Sequence, residues 1–409
     1  MERKTYLKER ELRRFQVLSL YEKKAIRYQE AAEALGVTAR QFWRLWRRFR
    51  EGGADALAHR LRGRPSPRGL SPATRERIVE LKTEVYNDFN DVHFTEKLSE
   101  VEGIVVGRET VRALLRARGI PPKHSRRSPG HRSRRPPWPA EGALVQVDAS
   151  PHRWFGDEYI ALVVAVDDAT KKILYARFEQ RETTVAYLKM LRHLCRRYGR
   201  PLALYADRHS IFKTSREPTI QEQLLGKGPS TQFARALQEL HIPYIAAHSP
   251  QAKGRIERAF RTLQDRLHAE LGLANVADLN AANNLLRRFV PNYNRRFARL
   301  PDDPNPAWRP VPPALDLDAV CAFKETRVVK ADNTVSVHGR TLQIPPNVYR
   351  ASYAKASVEV RVLLNGQTRI YYQNHLLASF PKSTARHPDL ARVPSLKLYR
   401  QLAAVPKNM

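Results

Sequence analysis

Residues 121–140 read Pro-Pro-Lys-His-Ser-Arg-Arg-Ser-Pro-Gly-His-Arg-Ser-Arg-Arg-Pro-Pro-Trp-Pro-Ala, with six prolines, six lysines or arginines and no acid. Proline fixes φ and has no backbone donor, so a stretch this dense in it enters neither a helix interior nor a central strand. The segment is an extended linker, and the chain must fold as separate bodies on either side of it. Upstream the apolar pattern is helical; downstream it turns to strands. Two shorter breaks subdivide the halves: Arg62-Gly-Arg-Pro-Ser-Pro-Arg-Gly-Leu, and the proline-rich run Leu300–Pro313. The expected organisation is a helical unit over 1–62, a basic linker over 63–70 and a second helical unit over 71–120. The Pro/Arg-rich linker 121–140, an α/β core over 141–300, a small all-β barrel over 315–383 and a polar tail over 384–409 follow.

Charge narrows the function. Lysine plus arginine total 72 against 41 acids, a formal net charge of +31. Every part of the chain shares the excess, which points to a polyanion gripped along the whole molecule, above all nucleic acid. Two cysteines, Cys195 and Cys321, exclude a disulfide scaffold and a cysteine-based zinc site. The start, Met-Glu-Arg-Lys-Thr-Tyr, lacks the apolar run of a secretory signal, and no segment approaches the roughly 18 apolar residues of a membrane span. A soluble, cytoplasmic protein without a membrane partner is expected.

Within the first unit, Gln29–Leu45 carries a helix-turn-helix pattern. Ala31, Ala32 and Leu35 form an apolar face, and Gly36 supplies the turn. Val37 is buried, Thr38 caps the next helix, and Phe42 and Leu45 pack it back. Arg40, Gln41, Arg44, Arg47 and Arg48 face outward, where Arg and Gln can bond phosphates and base edges. Arg64 lies in the basic linker, which can track a DNA backbone or groove. In the second unit Ser71-Pro72 opens a helix. Val106–Gly119 then reads as another recognition helix, with Val111, Leu114 and Leu115 inside and Arg108, Arg112 and Arg116 outside. Arg126 and Arg127 extend the basic track through the long linker.

From residue 143 onward, strands are expected at Ala143–Val147, Tyr159–Val166, Lys172–Phe178, Leu202–Ala206 and Ile242–Ala246. Helices are expected at Thr183–Arg197, Phe233–Leu240 and Pro250–Leu271. This is a mixed α/β layer architecture. Asp148 sits at the first strand, Asp207 closes the fourth, and Glu257 lies early on the last helix. If the first and fourth strands are neighbours, the aspartates converge and Glu257 can approach them. Three carboxylates with open positions suit Mg²⁺ or Mn²⁺. Aspartates at strand ends are common in α/β domains, so spacing alone leaves metal catalysis open. Among the other acids, Asp167 and Asp168 read as a turn, and Glu182 and Asp265 as surface charge. His152 and His209 stand beside the acidic blocks, and Trp154 and Phe155 read as packing residues.

Val147-Asp-Ala-Ser-Pro-His-Arg-Trp-Phe, Asp207-Arg-His-Ser-Ile-Phe-Lys and His248-Ser-Pro-Gln-Ala-Lys-Gly-Arg-Ile-Glu-Arg resemble the three acidic blocks of bacterial insertion-sequence transposases with a retroviral-integrase-type core. The resemblance covers nearly the whole chain. It implies helix-turn-helix units, an RNase H-like catalytic core and a small C-terminal barrel. By it, Asp148, Asp207 and Glu257 form a DDE triad, with Lys253 and Arg255 as DNA contacts beside it. Forty-nine residues separate Asp207 from Glu257, more than in the familiar integrase pattern, and the surplus falls in the polar stretch Thr214–Ser230. The N-terminal zinc module of retroviral integrases is absent, since no cysteine precedes Cys195.

The implied reaction is cleavage of transposon ends at terminal inverted repeats, then attack of the freed 3′-OH on target DNA. Two ions per site would be held by Asp148 as the bridging ligand, with Asp207 and Glu257 completing one site each. The implied partners are double-stranded DNA, both transposon ends and target, and further copies of the chain, at least a dimer on DNA. A catalytically silent DNA-binding regulator and an RNase H-like structure-selective nuclease are the alternatives. The charge makes its own prediction. DNA affinity should fall steeply between low and moderate salt as counterion release is lost, and binding titrations across salt should be log-linear; a flat response would make the charge mere solvated surface.

Overall fold

The computed structural model describes residues 9–58, 69–124, 135–207, 211–212, 230–246, 254–346 and 350–382. The chain divides into two compact units, split between Arg77 and Ile78. The expected linker positions Arg64, Arg126 and Arg127, most of the stretch Thr214–Ser230, the helix start Ser249-Pro250, Lys253, His209 and the tail all lie outside the described residues.

The first unit contains α1 (Glu9–Glu22), α2 (Tyr28–Ala34), α3 (Ala39–Gly52) and the start of α4 (Pro72–Glu80). Leu18, Ala31, Phe42, Phe49 and Leu57 form its core, with Leu35, Val37 and Leu45 packed against it. Val37, expected to be buried, is only half-buried. Gly36 turns the chain at φ +62°, a conformation that disfavours a side chain. Thr38 then caps α3, its hydroxyl accepting from Gln41 N while Gln41 Oε1 accepts from Thr38 N, each at 3.3 Å.

The second unit continues with α5 (Asp91–Glu100) and α6 (Arg108–Ala117). Asn90 caps α5 by accepting from His93 N. Gly103, at φ +68°, lies between the two helices. Five strands follow: β1 (Val145–His152), β2 (Ile160–Asp167), β3 (Ile173–Glu179), β4 (Leu204–Ala206) and β5 (Tyr244–Ala246). They form one sheet in the order β3-β2-β1-β4-β5. The first three strands pair antiparallel, whereas β1–β4 and β4–β5 are parallel. One face packs on α7 (Thr184–Arg197) and α8 (Gln232–Glu239). The other packs on α9 (Gly254–Leu273) and α10 (Leu279–Phe297). β2 is covered on both faces, so all eight of its residues are buried.

The strand and helix expectations hold for the core, with boundaries displaced by a few residues. Periodicity does not announce α10, which carries Pro291 in its interior. It buries Ala282, Leu286 and Tyr293 against the sheet and also serves it through polar groups. Asn283 bonds both backbone groups of Phe178, and Asn294 does the same for Ile173, at 2.8–3.1 Å. Eleven residues are close to three helical turns, so the two amides share a face and satisfy the exposed edge of β3.

The C-terminal strands correct the expected barrel. β6 (Phe323–Val328), β9 (Ser357–Val362), β10 (Thr368–Tyr372) and β11 (His375–Phe380) form an open sheet, β11-β10-β9-β6. Among the described residues, β7 (Thr334–Val337) and β8 (Arg340–Gln343) form a separate two-stranded sheet. No ladder joins the two sheets among the described residues, so the strands do not close on themselves. The apolar side merges instead with the cluster around α7 and α8, where Cys321, Phe323, Val358, Val360 and Ile370 join Leu191, Leu194 and Phe233. The Gln232 side-chain amide donates to Lys324 O and accepts from Lys324 N, and Lys324 pairs with Glu239 at 2.8 Å.

α5 meets α9 and α10 through charges. Glu96 pairs with Arg266 and Arg296, and Glu270 with His93 and Lys97. Asp265, expected as surface charge, accepts from Asn90 and His124 and pairs with Lys123 at 3.4 Å. Burial opposes ionisation of Glu96 and Glu270. The facing cations outweigh it, and both carboxyls stay below their usual range. A depressed folded-state pKa means stability that is complete above the ordinary carboxylate range and lost as pH falls through it. Unfolding scans should therefore show a drop below about pH 4.5. Arg266→Met should blunt that drop and cost about 2 kcal/mol at neutral pH, once the partial exposure of Glu96 is discounted.

Candidate active site

The sheet order sets β1 between β2 and β4, the neighbour relation the aspartates require. Val145 and Val147 point toward α7 and α8. The pleat turns Gln146 and Asp148 to the opposite face, the one covered by α9. The parallel register pairs Val145 with Leu204 and Gln146 with Tyr205. Two residues further it brings Asp148 level with Asp207, which follows the last residue of β4. Leu144 and Tyr205 share a small cluster on one face, so alternation gives both aspartates the same side.

Asp148 and Asp207 are half-buried. Asp148 Oδ1 accepts from Ala149 N at 3.0 Å, and the backbone carbonyl of Asp207 accepts from the Tyr244 hydroxyl. Beneath them Tyr187 donates its hydroxyl to Glu182 Oε1 at 2.7 Å. Burial pushes the Tyr187 phenol far up, reinforced by the charge of Glu182 and its hydrogen bond and by the charges of Asp148 and Asp207. The two aspartates thus lie within electrostatic reach of one buried hydroxyl. Glu182, expected as solvated charge, belongs to this neighbourhood.

Glu257 is exposed, in the first turn of α9. Next to it the buried Ile256 donates its backbone N–H to Gln146 Oε1 at 3.2 Å. This bond ties the start of α9 to β1, two residues from Asp148. The structure brings Asp148 and Asp207 together but does not close Glu257 on them. Among the described residues, no three His, Cys, Asp or Glu side chains converge to hold an ion. His152 is half-buried, with its ring 6.0 Å from that of His268; burial, then the His268 charge, lowers its pKa. Trp154 is buried against Phe178, as expected of a packing residue.

Asp167 ends β2 and Asp168 opens the expected turn, yet both are fully buried. Asp167 accepts from Gly142 N, Thr170 N and Thr170 Oγ1 at 2.7–2.8 Å. Burial raises its pKa, and these hydrogen bonds pull it back. Asp168 accepts from Arg255 Nη1 and Gln146 Nε2, both at 2.7 Å, from Trp138 N at 2.9 Å and from Arg135. The signal available in the sequence was an Asp pair ending an unbroken apolar strand, where an unpaired charge is too costly to keep.

The expected DNA-facing cations divide into two groups. Arg40, Gln41, Arg44 and Arg47 are exposed along α3, although Gln41 also serves the cap. Arg108 and Arg112 are exposed on α6, each 3.5 Å from Glu109. Three others are turned inward, contrary to expectation. Arg48 donates to the carbonyls of Ala56 and Ala58. Arg116 pairs with Asp91 and donates to Ile120 O at 2.6 Å. Arg255, its side chain only 8% exposed, is spent on Asp168. In each case a nearby carbonyl or carboxylate captures the guanidinium, which sequence spacing does not reveal.

Residues 8–58 match the model of a homeodomain-like domain. The chain is 36% identical over 376 residues to putative transposase y4bF of Sinorhizobium fredii (strain NBRC 101917 / NGR234), covering 91% of this chain and 80% of the relative. It is 29% identical over 399 residues to the transposase for insertion sequence IS1202 of Streptococcus pneumoniae, covering 85% and 83%. Among solved structures, the HTLV-2 integrase catalytic core domain in complex with magnesium aligns with 36% of this chain and 83% of its own, at 18% identity and TM-score 0.27.

The division of cations predicts a division of phenotypes. Arg44→Ala and Arg47→Ala should each weaken DNA binding several-fold and leave thermal stability within about 0.5 kcal/mol, as surface changes do. Arg48→Ala should instead lower the melting temperature. Fluorescence anisotropy with melting curves separates the two classes.

Proposed function

We propose that this chain, which belongs to the insertion-sequence transposases with an integrase-like core, cuts the ends of its element and joins them to target DNA through Asp148, Asp207 and Glu257. The observation that supports the reading is the parallel β1–β4 register, which, continued two residues past Gln146 and Tyr205, sets Asp148 level with Asp207, with Glu257 in the first turn of α9. Among the described residues no helix is long and apolar enough to cross a membrane. We place the protein in the cytoplasm, on the nucleoid when bound.

The donor set is all carboxylate oxygen, which fits a hard divalent cation. Two Mg²⁺ or Mn²⁺ ions, held with Asp148 as the shared ligand and Asp207 and Glu257 on either side, would supply charge neutralisation and an acidified water. The chain's residues set the geometry of the displacement. Asp148 and Asp207, fixed by the ladder, would hold such ions against one phosphodiester. Water attack at the end of the element breaks the bond to the 3′ oxygen and releases a 3′-OH. That hydroxyl then attacks a target phosphodiester and expels a second 3′ oxygen, so bonds formed and broken balance. No serine or tyrosine nucleophile is needed. Lys253 is assigned a contact to DNA beside Glu257.

Recognition falls to the exposed cations of α3 and α6, which read the terminal inverted repeats while backbone contacts hold the register. Joining two ends to one target needs at least two protomers. The test is a strand-transfer assay with end-sequence DNA, target DNA and Mg²⁺. Joined products from the wild type should disappear, by at least about 100-fold, in Asp148→Asn, Asp207→Asn and Glu257→Gln. Equal activity in the variants would sink the triad. Cleavage without joining would instead mark a structure-selective nuclease, and binding without either reaction a regulator.

A further inference from the structure

Asp168 is a fully buried carboxylate with four donors, and it does not belong to the triad. A buried charge is tolerated only when paired and hydrogen-bonded, and satisfying all its lone pairs fixes whatever supplies the donors. The donors come from three separate parts of the chain. Gln146 lies on β1, two residues before Asp148. Arg255 lies on α9, two residues before Glu257. Arg135 and Trp138 lie where the chain enters the core from the Pro/Arg-rich segment. A second set of bonds closes the arrangement. Gln146 gives its amide nitrogen to Asp168 and accepts, through its oxygen, from Ile256 N in the first turn of α9. Arg255 also reaches Arg135 O at 3.0 Å.

We infer that Asp168, acting through Arg255 and Gln146, is the positioning residue for Glu257. It clamps the first turn of α9 against β1, at a set offset from Asp148, and ties both to the entry of the linker. This inference rests on the reading of Glu257 as the third acid. Glu257 is exposed, so its location follows from Arg255 and Ile256, which precede it in the same turn and are both bonded to the core. The clamp costs a buried charge that an apolar cluster would have avoided. It also makes the helix start sensitive to the linker, because Arg135 and Arg255 share one carboxylate oxygen.

The test uses the full chain and reads the helix directly. Amide hydrogen exchange is followed in peptides covering the first turn of α9 and, as control, β2. In Arg255→Met and Asp168→Asn the first turn should exchange at least about tenfold faster while β2 stays protected. Arg255→Lys, which keeps a charge but not the fork, should recover part of the protection. In strand transfer, Arg255→Met should lose about 100-fold in turnover with unchanged DNA affinity, the signature of a misplaced group rather than a lost contact. Unchanged exchange in the first turn of Arg255→Met overturns the clamp. So does faster exchange spread evenly over β2 and α9, which would mark general destabilisation. If Asp168→Asn fails to fold, Arg255→Met, which leaves Asp168 three donors, still decides. The exchange readout is independent of chemistry. Full activity in Glu257→Gln would defeat the triad while leaving the clamp measurable.

Discussion

The parallel ladder between β1 and β4 is the interaction on which the candidate site depends. Only a few residues long, it joins a strand from the antiparallel half of the sheet to one from the parallel half. Asp148 and Asp207, separated by nearly sixty residues of sequence, become neighbours through it alone. Parallel pairing requires a crossover, here built from β2, β3 and α7, so a large part of the core exists to bring β4 alongside β1. The aspartates stand at the end of this ladder, where hydrogen bonding to the neighbouring strand gives out and carboxylates can meet a ligand.

Much of this was legible in the chain. The strands as short apolar runs, and Gly36 with Thr38 at helix-turn-helix offsets, carry local signals that the structure repeats, whereas the two compact units part at Arg77 rather than at the proline-dense segment. The acidic blocks were legible as a pattern, although convergence depends on strand order, which no single segment encodes. What escaped was mostly polar. α10 escaped although Ala282, Leu286 and Tyr293 form a buried stripe on it, and the asparagines that serve the strand edge carry no periodic signal. Asp168 read as an ordinary turn residue because its donors lie in three distant segments. Arg48, Arg116 and Arg255 read as outward because helical spacing cannot tell a solvated arginine from one captured by a carbonyl or carboxylate a few ångströms away.

The second unit uses two kinds of adhesive. The sheet is joined to its helices by apolar clusters, which resist separation because water must wet them. α5 is joined to α9 and α10 by carboxylates facing arginines, lysine and histidine, groups that water can serve almost as well. The first kind gives a rigid frame for the acids. The second gives a joint whose strength follows pH and ionic strength, on the same helix that carries Glu257 at its other end.

The apolar cluster shared by α7, α8 and the C-terminal strands bears on how the protein comes into being. The central sheet is synthesised first, but one of its helical layers finds its outer cover only when residues beyond 320 have left the ribosome. Until then Gln232, Arg235 and Glu239 on α8 lack the partners that Val320, Ala322 and Lys324 supply. A product that stops short of the last strands is therefore not a smaller enzyme with one module missing. It is an unfinished core, and the order of synthesis makes the last-made strands the step that seals the first-made sheet.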